Sequence, residues 1–443
     1  MIEQGLGRIK SRMVRPSRAL LASSLIALLV SCSLDSAPKT VPGAASSGGA
    51  AAVAGTSGST SQAGGASGAT SASGAASVAG TASGGAAGSG GTASLPEPKV
   101  CDAPAQVPIT VEWDKLNAQP TAFYATDEAR VLADNVLYYQ NADHGWPKNV
   151  DMTTRTAPKA RSTIDNRATT TQIEFLARVR SATGCTQYGD AALGGVQLLL
   201  AAQYENGGWP QVYPDPEGYP AHITFNDDAM IHVLQVLRAI TGGGWPYGFV
   251  DEALKSTASA AIAKGVECIL ACQVEMAGGQ RGWCAQHDEV TLEPAQARTY
   301  ELPSLSGSEG AQIVRFLMTI DPPTPEIRAA VEGAMAWFEA VKLTGIRVES
   351  TVDASQPTGE DRVVVEDANA PPLWARFYEL GTNKPIFSSR CEVPQCDDDP
   401  FYMRRYSLAE IENERRVGYA WYGTWPAAAL AEYQAWKTKY PAP

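Results

Sequence analysis

The clearest hydrophobic pattern in this chain is helical. In AMIHVLQVLRAIT, starting at Ala229, the residues Ile231, Leu234 and Leu237 fall on one face. In SEGAQIVRFLMTI, starting at Ser308, the same holds for Ile313, Phe316 and Leu317. ATTTQIEFLARVRSAT, starting at Ala168, has similar spacing. Apolar helical ends also precede three related stretches: VLYYQNADHGWPKN ending at Asn149, LLLAAQYENGGWPQ ending at Gln211, and ILACQVEMAGGQRGWCAQ ending at Gln286. Each runs from a helical end through a glutamine and a polar glycine-containing turn to Gly-Trp, which places Trp146, Trp209 and Trp283 in register.

The segments after these tryptophans are parallel as well. Beyond a loop come Thr-Ile-Asp165-Asn166, Phe-Asn226-Asp227-Asp228 and Ala-Arg298-Thr-Tyr-Glu, each leading into one of the helices above. The period exceeds that of common solenoid repeats and fits helix pairs with long loops. The expected architecture is a toroid of helical hairpins. Equivalent loops then converge on one face and bring Asp165, Asp227 and Arg298 together.

The aspartates of ITFNDDAMIHVL have two readings. With Asn226 as N-cap, Asp227 and Asp228 occupy the first helical turn, where the helix dipole favours negative charge. Alternatively, converging with Asp165, they hold a cation. Two carboxylates with amide and carbonyl oxygens nearby suit a hard cation such as calcium, which takes six to eight oxygen ligands. Facing carboxylates also serve as the acid and base of a glycosidase. Trp146, Trp209, Trp245 and Trp283, each beside glycine, either stack on sugar rings or pack beneath the loops.

The termini and composition narrow the context. Arg8, Lys10, Arg12, Arg15 and Arg18 precede ALLASSLIALLV, a run too short to span a bilayer and suited to a secretory signal. It ends at an imperfect lipobox in which Cys32 would be lipidated and give the only membrane link; the alternative is an ordinary signal peptide cleaved nearby, and either way export is expected. Residues 1–32 are thus read as a lipoprotein-type signal, 33–99 as a Gly/Ala/Ser/Thr-rich tether, and 100–443 as one catalytic domain. The net charge of −12 argues against nucleic acid, and a polyanion needs local arginines or a bridging cation. Besides Cys32 there are seven cysteines, Cys101, Cys185, Cys268, Cys272, Cys284, Cys391 and Cys396. Cys391 and Cys396 are spaced to close a small loop, Cys268 and Cys272 stand one helical turn apart, and nothing has zinc spacing.

STIDNRATTTQI, NGGWPQVYP, ITFNDDAMIHVL, ARTYELPSLSGSEGAQIVRFL, NAPPLWARFYELGTNKPIFSSR and ERRVGYAWYGTWP together resemble a family 10 polysaccharide lyase, a pectate lyase, over nearly all of residues 100–443. The resemblance implies a mainly α fold, an (α/α)3 toroid with small antiparallel β elements. It also implies calcium-dependent β-elimination of polygalacturonate with an arginine base. Asp165 and Asp227 become calcium ligands and Arg298 the base. Arg376 and Arg390 become bidentate partners of substrate carboxylates, with Lys148, Asn166, Trp146 and Trp209 as further substrate contacts. Arg376 in WARFYEL is expected to share a strand face with Trp374 and Tyr378.

Arginine is a difficult base because its guanidinium stays protonated, so an alkaline optimum is expected. A structural ion pair of Arg298 with Glu301 is the competing reading. The stretch RCEVPQCDDDPFYMRRYSLAEI departs from the resemblance by its length and acidity, and Asp397–Asp399 is either a solvated loop or a second cation site. No feature of the sequence marks an oligomer, and a monomer is expected.

Overall fold

The computed structural model describes residues 95–441; the signal-like segment, Cys32 and the tether up to residue 94 lie outside the described residues. Ten helices are described: α1 Asp127–Tyr139, α2 Thr170–Thr183, α3 Thr186–Ala201, α4 Ala229–Gly242, α5 Glu252–Ala271, α6 Glu309–Met318, α7 Pro325–Ala340, the short α8 Gln395–Asp398 and α9 Asn413–Gly418, and α10 Trp425–Lys439. Thr126, Asp251 and Thr324 cap α1, α5 and α7 by accepting from Ala129, Leu254 and Ile327 N–H groups. α2 and α4 stop at Gly184 and Gly243, both at positive φ, where a Cβ would be strained.

α2, α4, α6 and α10 pack one against the next, and α1, α3, α5 and α7 lie against them as the second layer. This is the expected helical toroid, and the strands are short antiparallel pairs. The longest pair joins Ile346–Val352 to Glu360–Glu366.

The repeat is carried by specific bonds. Trp146, Trp209 and Trp283 are fully buried, and each indole Nε1–H donates to a carbonyl of the preceding helix, at Val136, Leu199 and Ile269. Burying one indole contributes roughly 4 kcal/mol from apolar area alone. The glutamines of the motif recur structurally too: Gln140, Gln203 and Gln273 donate to Ala191, Ala261 and Ala330 carbonyls of the neighbouring helix. A fourth unit, missed in the sequence, is built on Trp374, whose Nε1–H donates to Phe338 O.

The bonds also correct the alignment of the third unit. Thr163, Thr224 and Ser306 N–H groups donate to the Trp146, Trp209 and Trp283 carbonyls. The next residues in register are therefore Asp165 and Asn166, Asn226 and Asp227, and Ser308 and Glu309. Arg298 belongs to the preceding loop and is not the counterpart of the aspartates. Glu309, the first residue of α6, is the counterpart of Asn166 and Asp227, whereas Asp165 matches Asn226 and Ser308; the place of Glu309 at the start of an apolar helix was a legible signal.

Cys101–Cys185 and Cys391–Cys396 form disulfides, while Cys268, Cys272 and Cys284 are buried thiols. The first ties the start of the folded body to α3, where Lys99 also bonds Gly184 and Thr186.

Candidate active site

The turns Asp165–Arg167 and Asn226–Asp228 pack against each other at the N-terminal ends of α2 and α4, and α6 abuts the second turn. Their backbones match: Asn166 and Arg167 have φ of 49° and 61°, Asp227 and Asp228 of 50° and 61°. Left-handed conformations at non-glycine residues cost on the order of 1 kcal/mol each, so tertiary packing must enforce them. The simple capping reading of the Asp-Asp pair therefore fails. α4 begins only at Ala229, Asp228 at its N-cap makes no side-chain cap bond, and Asn226 donates to Asp227 Oδ2 at 3.0 Å.

Asp165, Asp227 and Glu309 each have a cationic partner. Asp165 is almost fully buried; Oδ2 accepts from Lys148 Nζ at 2.5 Å and Oδ1 from the Asn166 N–H at 3.1 Å. Asp227 Oδ1 accepts from Arg376 Nη2 at 3.0 Å. Arg376 also donates to Glu309, whose carboxylate is 1% exposed and accepts from Ser306 Oγ. Lys148 and Arg376 both stand two residues after their tryptophans, so the two cations are repeat equivalents. Carboxylate oxygens have spare lone pairs beyond these bonds.

Among the described residues no cation makes a hydrogen bond or ion pair with Asp228, although Arg376 and Arg167 act on it through their charge. Burial, then the nearby charges of Glu309 and Asp227, push its carboxyl up to about 7. The sign comes from linkage. Between about pH 4 and 7 the folded protein keeps this proton while the unfolded chain, with a carboxyl at 3.8, releases it, so stability falls as pH rises through that window. Asp228→Asn is expected to raise the melting temperature relative to the native protein at pH 8 and to leave it unchanged at pH 4. Calorimetry in chelator checks this, and equal differences at both values would refute it.

Arg298 lies in a second group. Its Nε donates to Glu301 Oε2 at 2.7 Å, a second guanidinium nitrogen bonds Glu301 Oε1, and its backbone N–H also reaches Oε2 at 3.2 Å. Burial opposes the guanidinium charge, but the Glu301 bonds outweigh it and raise Arg298 above its ordinary range. The ion-pair reading of Arg298 is thus realised, and the lowering a lone arginine base needs is not. Tyr419 OH donates to Glu301 Oε1 at 2.7 Å. The Tyr419 ring lies 5.9 Å from the Arg298 guanidinium and 4.8 Å from that of Arg376, linking this group to the aspartates. Arg298, Arg390 and Arg415 approach the Tyr300 ring at 4.9, 5.2 and 4.7 Å. Arg390 Nε also meets Glu414 at 3.4 Å.

The structure brings together Asp165, Asp227, Lys148, Asn166 and Arg376, and through Tyr419 and Tyr300 it adds Arg298 and Arg390. Lys148 and Asn166 line a small cleft beside Trp113, and Asn166 Nδ2 donates to Asn149 Oδ1 at 2.8 Å. Trp146 and Trp209 are corrections: with no exposed surface and their N–H groups spent on the core, they have no face for a sugar. Trp245 is exposed but lies beyond the far end of α4, about 20 Å along the helix from Asp227.

Arg376 departs from its expected strand as well. The chain changes pairing partner at this residue, with Trp374–Ala375 on Tyr422–Gly423 and Phe377–Tyr378 on Leu305–Ser306. Its side chain is committed to the buried Glu309 carboxylate and to Asp227. Glu309, Tyr300, Arg415 and Tyr419 were missed, although GSEG and GYAW were visible as motifs, while Glu301 was expected only as an ion-pair partner of Arg298.

The acidic stretch behaves as a solvated turn at Asp398 and Asp399, both exposed, with Asp399 accepting from the Phe401 N–H. Among the described residues, His222, Asp288 and Glu289 form the group of three whose ligand atoms lie within 4.8 Å of one another. His222 Nδ1 is 2.9 Å from Glu289 Oε2.

An oxygen-rich anionic group thus lies beside clustered arginines at one end of a helical toroid. The sequence model described as Pec_lyase, pectic acid lyase, matches residues 140–430, and the chain belongs to this family. It is therefore a polysaccharide lyase. Among solved structures, a single-residue mutant of the family 10 polysaccharide lyase from Cellvibrio cellulosa, in complex with trigalaturonic acid, is 34% identical, with a TM-score of 0.61 over 73% of this chain and 95% of that one. The family 10 polysaccharide lyase from Cellvibrio cellulosa gives the same identity and TM-score over 73% and 94%. No curated protein matches the chain.

Proposed function

We propose that the chain cleaves polygalacturonate by calcium-dependent β-elimination, leaving unsaturated oligogalacturonides. The carrying observation is the pairing of the two groups. Asp165, Asp227, Asp228 and Glu309 gather from three separate loops, next to arginines disposed around Tyr300 and Tyr419. The trigalaturonic acid bound by the similar Cellvibrio enzyme supports the same substrate class here.

The donors fit calcium. The loops offer carboxylate and amide oxygens, and burial, then the charges of Glu309 and Asp227, raise the Asp228 carboxyl beside them. Asp165 and Asp227 would hold the ion, with Asn166 and Asp228 beside them. When bound, it would offset charge on the substrate carboxylate, whose α-proton at C5 is otherwise too weakly acidic to remove. Arg390 and Lys148 bind further carboxylates, and Arg376 fixes Asp227. Arg298 stands at the proton-abstracting position with a partly exposed side chain.

The N-terminal signal and the Cys101–Cys185 disulfide support export, with Cys32 as the lipid anchor. The chain acts as a monomer in this reading.

The test is near-ultraviolet absorbance during incubation with polygalacturonate, first with calcium and then with chelator. Absorbance should rise only with calcium. New reducing ends without absorbance would mean hydrolysis and would overturn the proposal.

A further inference from the structure

We propose that the cleft walled by Trp113, Lys148, Asn166, Arg167 and Gln172 is an added subsite, seating one galacturonate unit of the polymer beside the Asp165–Asp227 group. The inference rests on the polygalacturonate reading above and extends it to residues that reading does not use.

Trp113 is brought to the cleft by the segment ahead of α1. The Cys101–Cys185 disulfide pins that segment to α3. Thr110 and Val111 N–H groups then donate to Glu128 Oε1 of α1, at 2.6 and 3.0 Å. The chain turns next into a short 3-10 helix, Trp113–Ala118, whose Leu116 is buried. Asn117 Nδ2 ties this helix to Thr171 O of α2 at 3.0 Å. Trp113, at its first position, is left half-buried against the cleft. It lies ahead of residues 140–430, the span shared with the family.

The walls hold the groups that a uronate needs. Trp146, Trp209 and Trp283 are wholly buried with their N–H groups bonded to helix carbonyls. Trp113 instead keeps exposed surface, and its Nε1–H has no hydrogen-bond partner among the described residues. Such a ring offers a flat apolar surface to the C–H face of a sugar and a polar edge to its hydroxyls. Lys148 Nζ spends one of its three hydrogens on Asp165 and its side chain is 35% exposed. Arg167 is exposed and pairs with no carboxylate among the described residues. Together these two cations suit a substrate carboxylate. Gln172 is 3% exposed, its Nε2 lies 3.8 Å from Met152 Sδ, and its Oε1 is buried with no hydrogen-bond partner among the described residues. A buried acceptor without a donor is costly, and a sugar hydroxyl would supply the donor.

Size and position agree with this occupant. The cleft holds about 220 Å³. That is below the roughly 300–1,000 Å³ of a pocket for a drug-sized ligand, and it suits one sugar ring. The cleft meets Asp165 through Lys148 and Asn166, whereas Arg298 is reached from Asp227 through Arg376 and Tyr419. The subsite therefore grips a unit away from the bond that breaks, and it should favour long chains over short ones.

The experiment is calorimetric binding of saturated oligogalacturonides, trimer to octamer, in calcium. Full-length Arg298→Lys is the background, so that the ligands are not consumed. Affinity should rise in steps with length, and the step that fills the cleft should be about tenfold, the size of one good aromatic contact. Trp113→Ala should abolish that step and leave shorter oligomers unchanged. Trp113→Phe, which keeps a flat ring, should restore most of it. Arg167→Gln, a change at an exposed position, should shrink the same step and no other, and it decides the matter even if Trp113→Ala does not fold.

In a variant that melts as its parent does, a fall by the same factor at every length, or no fall at any length, overturns the subsite. A parent series without the step does so as well. Absorbance with native protein and polygalacturonate is run alongside. A native protein that forms no absorbing product fails at the β-elimination reading, while the length series still decides the cleft.

Discussion

Replacing Arg298 with alanine is expected to lower kcat on polygalacturonate by about 10²–10⁴-fold, the range supplied by a positioned acid–base group. The side chain has no repeat equivalent that could stand in for it. Its nearest guanidinium neighbours around Tyr300, Arg390 and Arg415, are each engaged with Glu414. Substrate affinity should change far less, because those arginines and Lys148 remain to meet substrate carboxylates. A loss of stability accompanies the change, since Glu301 stays buried without its bidentate partner. Arg298→Lys separates the two effects by returning a positive charge to Glu301 without the planar fork that spans the carboxylate. The fold should recover in the lysine variant while kcat stays low. Absorbance kinetics with thermal melts of both variants test this, and kcat within tenfold of native for Arg298→Ala would remove Arg298 from the chemistry.

The second large effect is on stability. Arg376→Ala should cost about 3–5 kcal/mol, the penalty for leaving buried charge uncompensated. Arg376 is 8% exposed and Glu309 1%, and Asp227 shares the same nitrogen. Burial works against the Arg376 charge, but Glu309, Tyr419 and Asp227 raise the guanidinium well above its ordinary range. Removing it leaves Glu309 and Asp227 without the guanidinium they share, beside Asp228. Calcium added to the variant should restore part of the loss, because it supplies positive charge to the same carboxylates. Adding Glu309→Gln to Arg376→Ala should restore part as well, since one of the stranded charges is gone. Denaturant unfolding with and without chelator measures both, and a cost below about 1 kcal/mol would show that Arg376 is not the keystone of the cluster.

The helices and the tryptophan repeat were legible because burial imposes a period on the chain. α2, α4 and α6 lie where their apolar faces predicted, and Trp146, Trp209 and Trp283 mark equivalent turns. The aspartates of two repeats were legible for a related reason: polar residues directly before an apolar helix stand out against it.

The partners of those residues were not legible. Tyr419 lies 118 residues from Glu301, and Arg376 lies 149 from Asp227, so nothing in local spacing links them. The third repeat was misaligned because Arg298, on the loop before α6, and Glu309, its first residue, both stand ahead of the same apolar face. Only the bond from Ser306 N–H to Trp283 O decides which is in register. Likewise, a Gly-Trp motif announces a fixed indole but not which way it faces. Trp146 and Trp209 face the core because their N–H groups are satisfied by helix carbonyls there.

The sequence alone therefore determined the helical repeat, the place of the aspartate turns and the family resemblance, all of which depend on residue order along one element. The tertiary structure alone decided which distant groups share a buried space: Glu309 with Arg376, and Tyr419 with the Arg298–Glu301 pair. Those choices come from the cost of leaving buried charge unpaired, which depends on what lies within a few ångströms and not on what lies next in the chain.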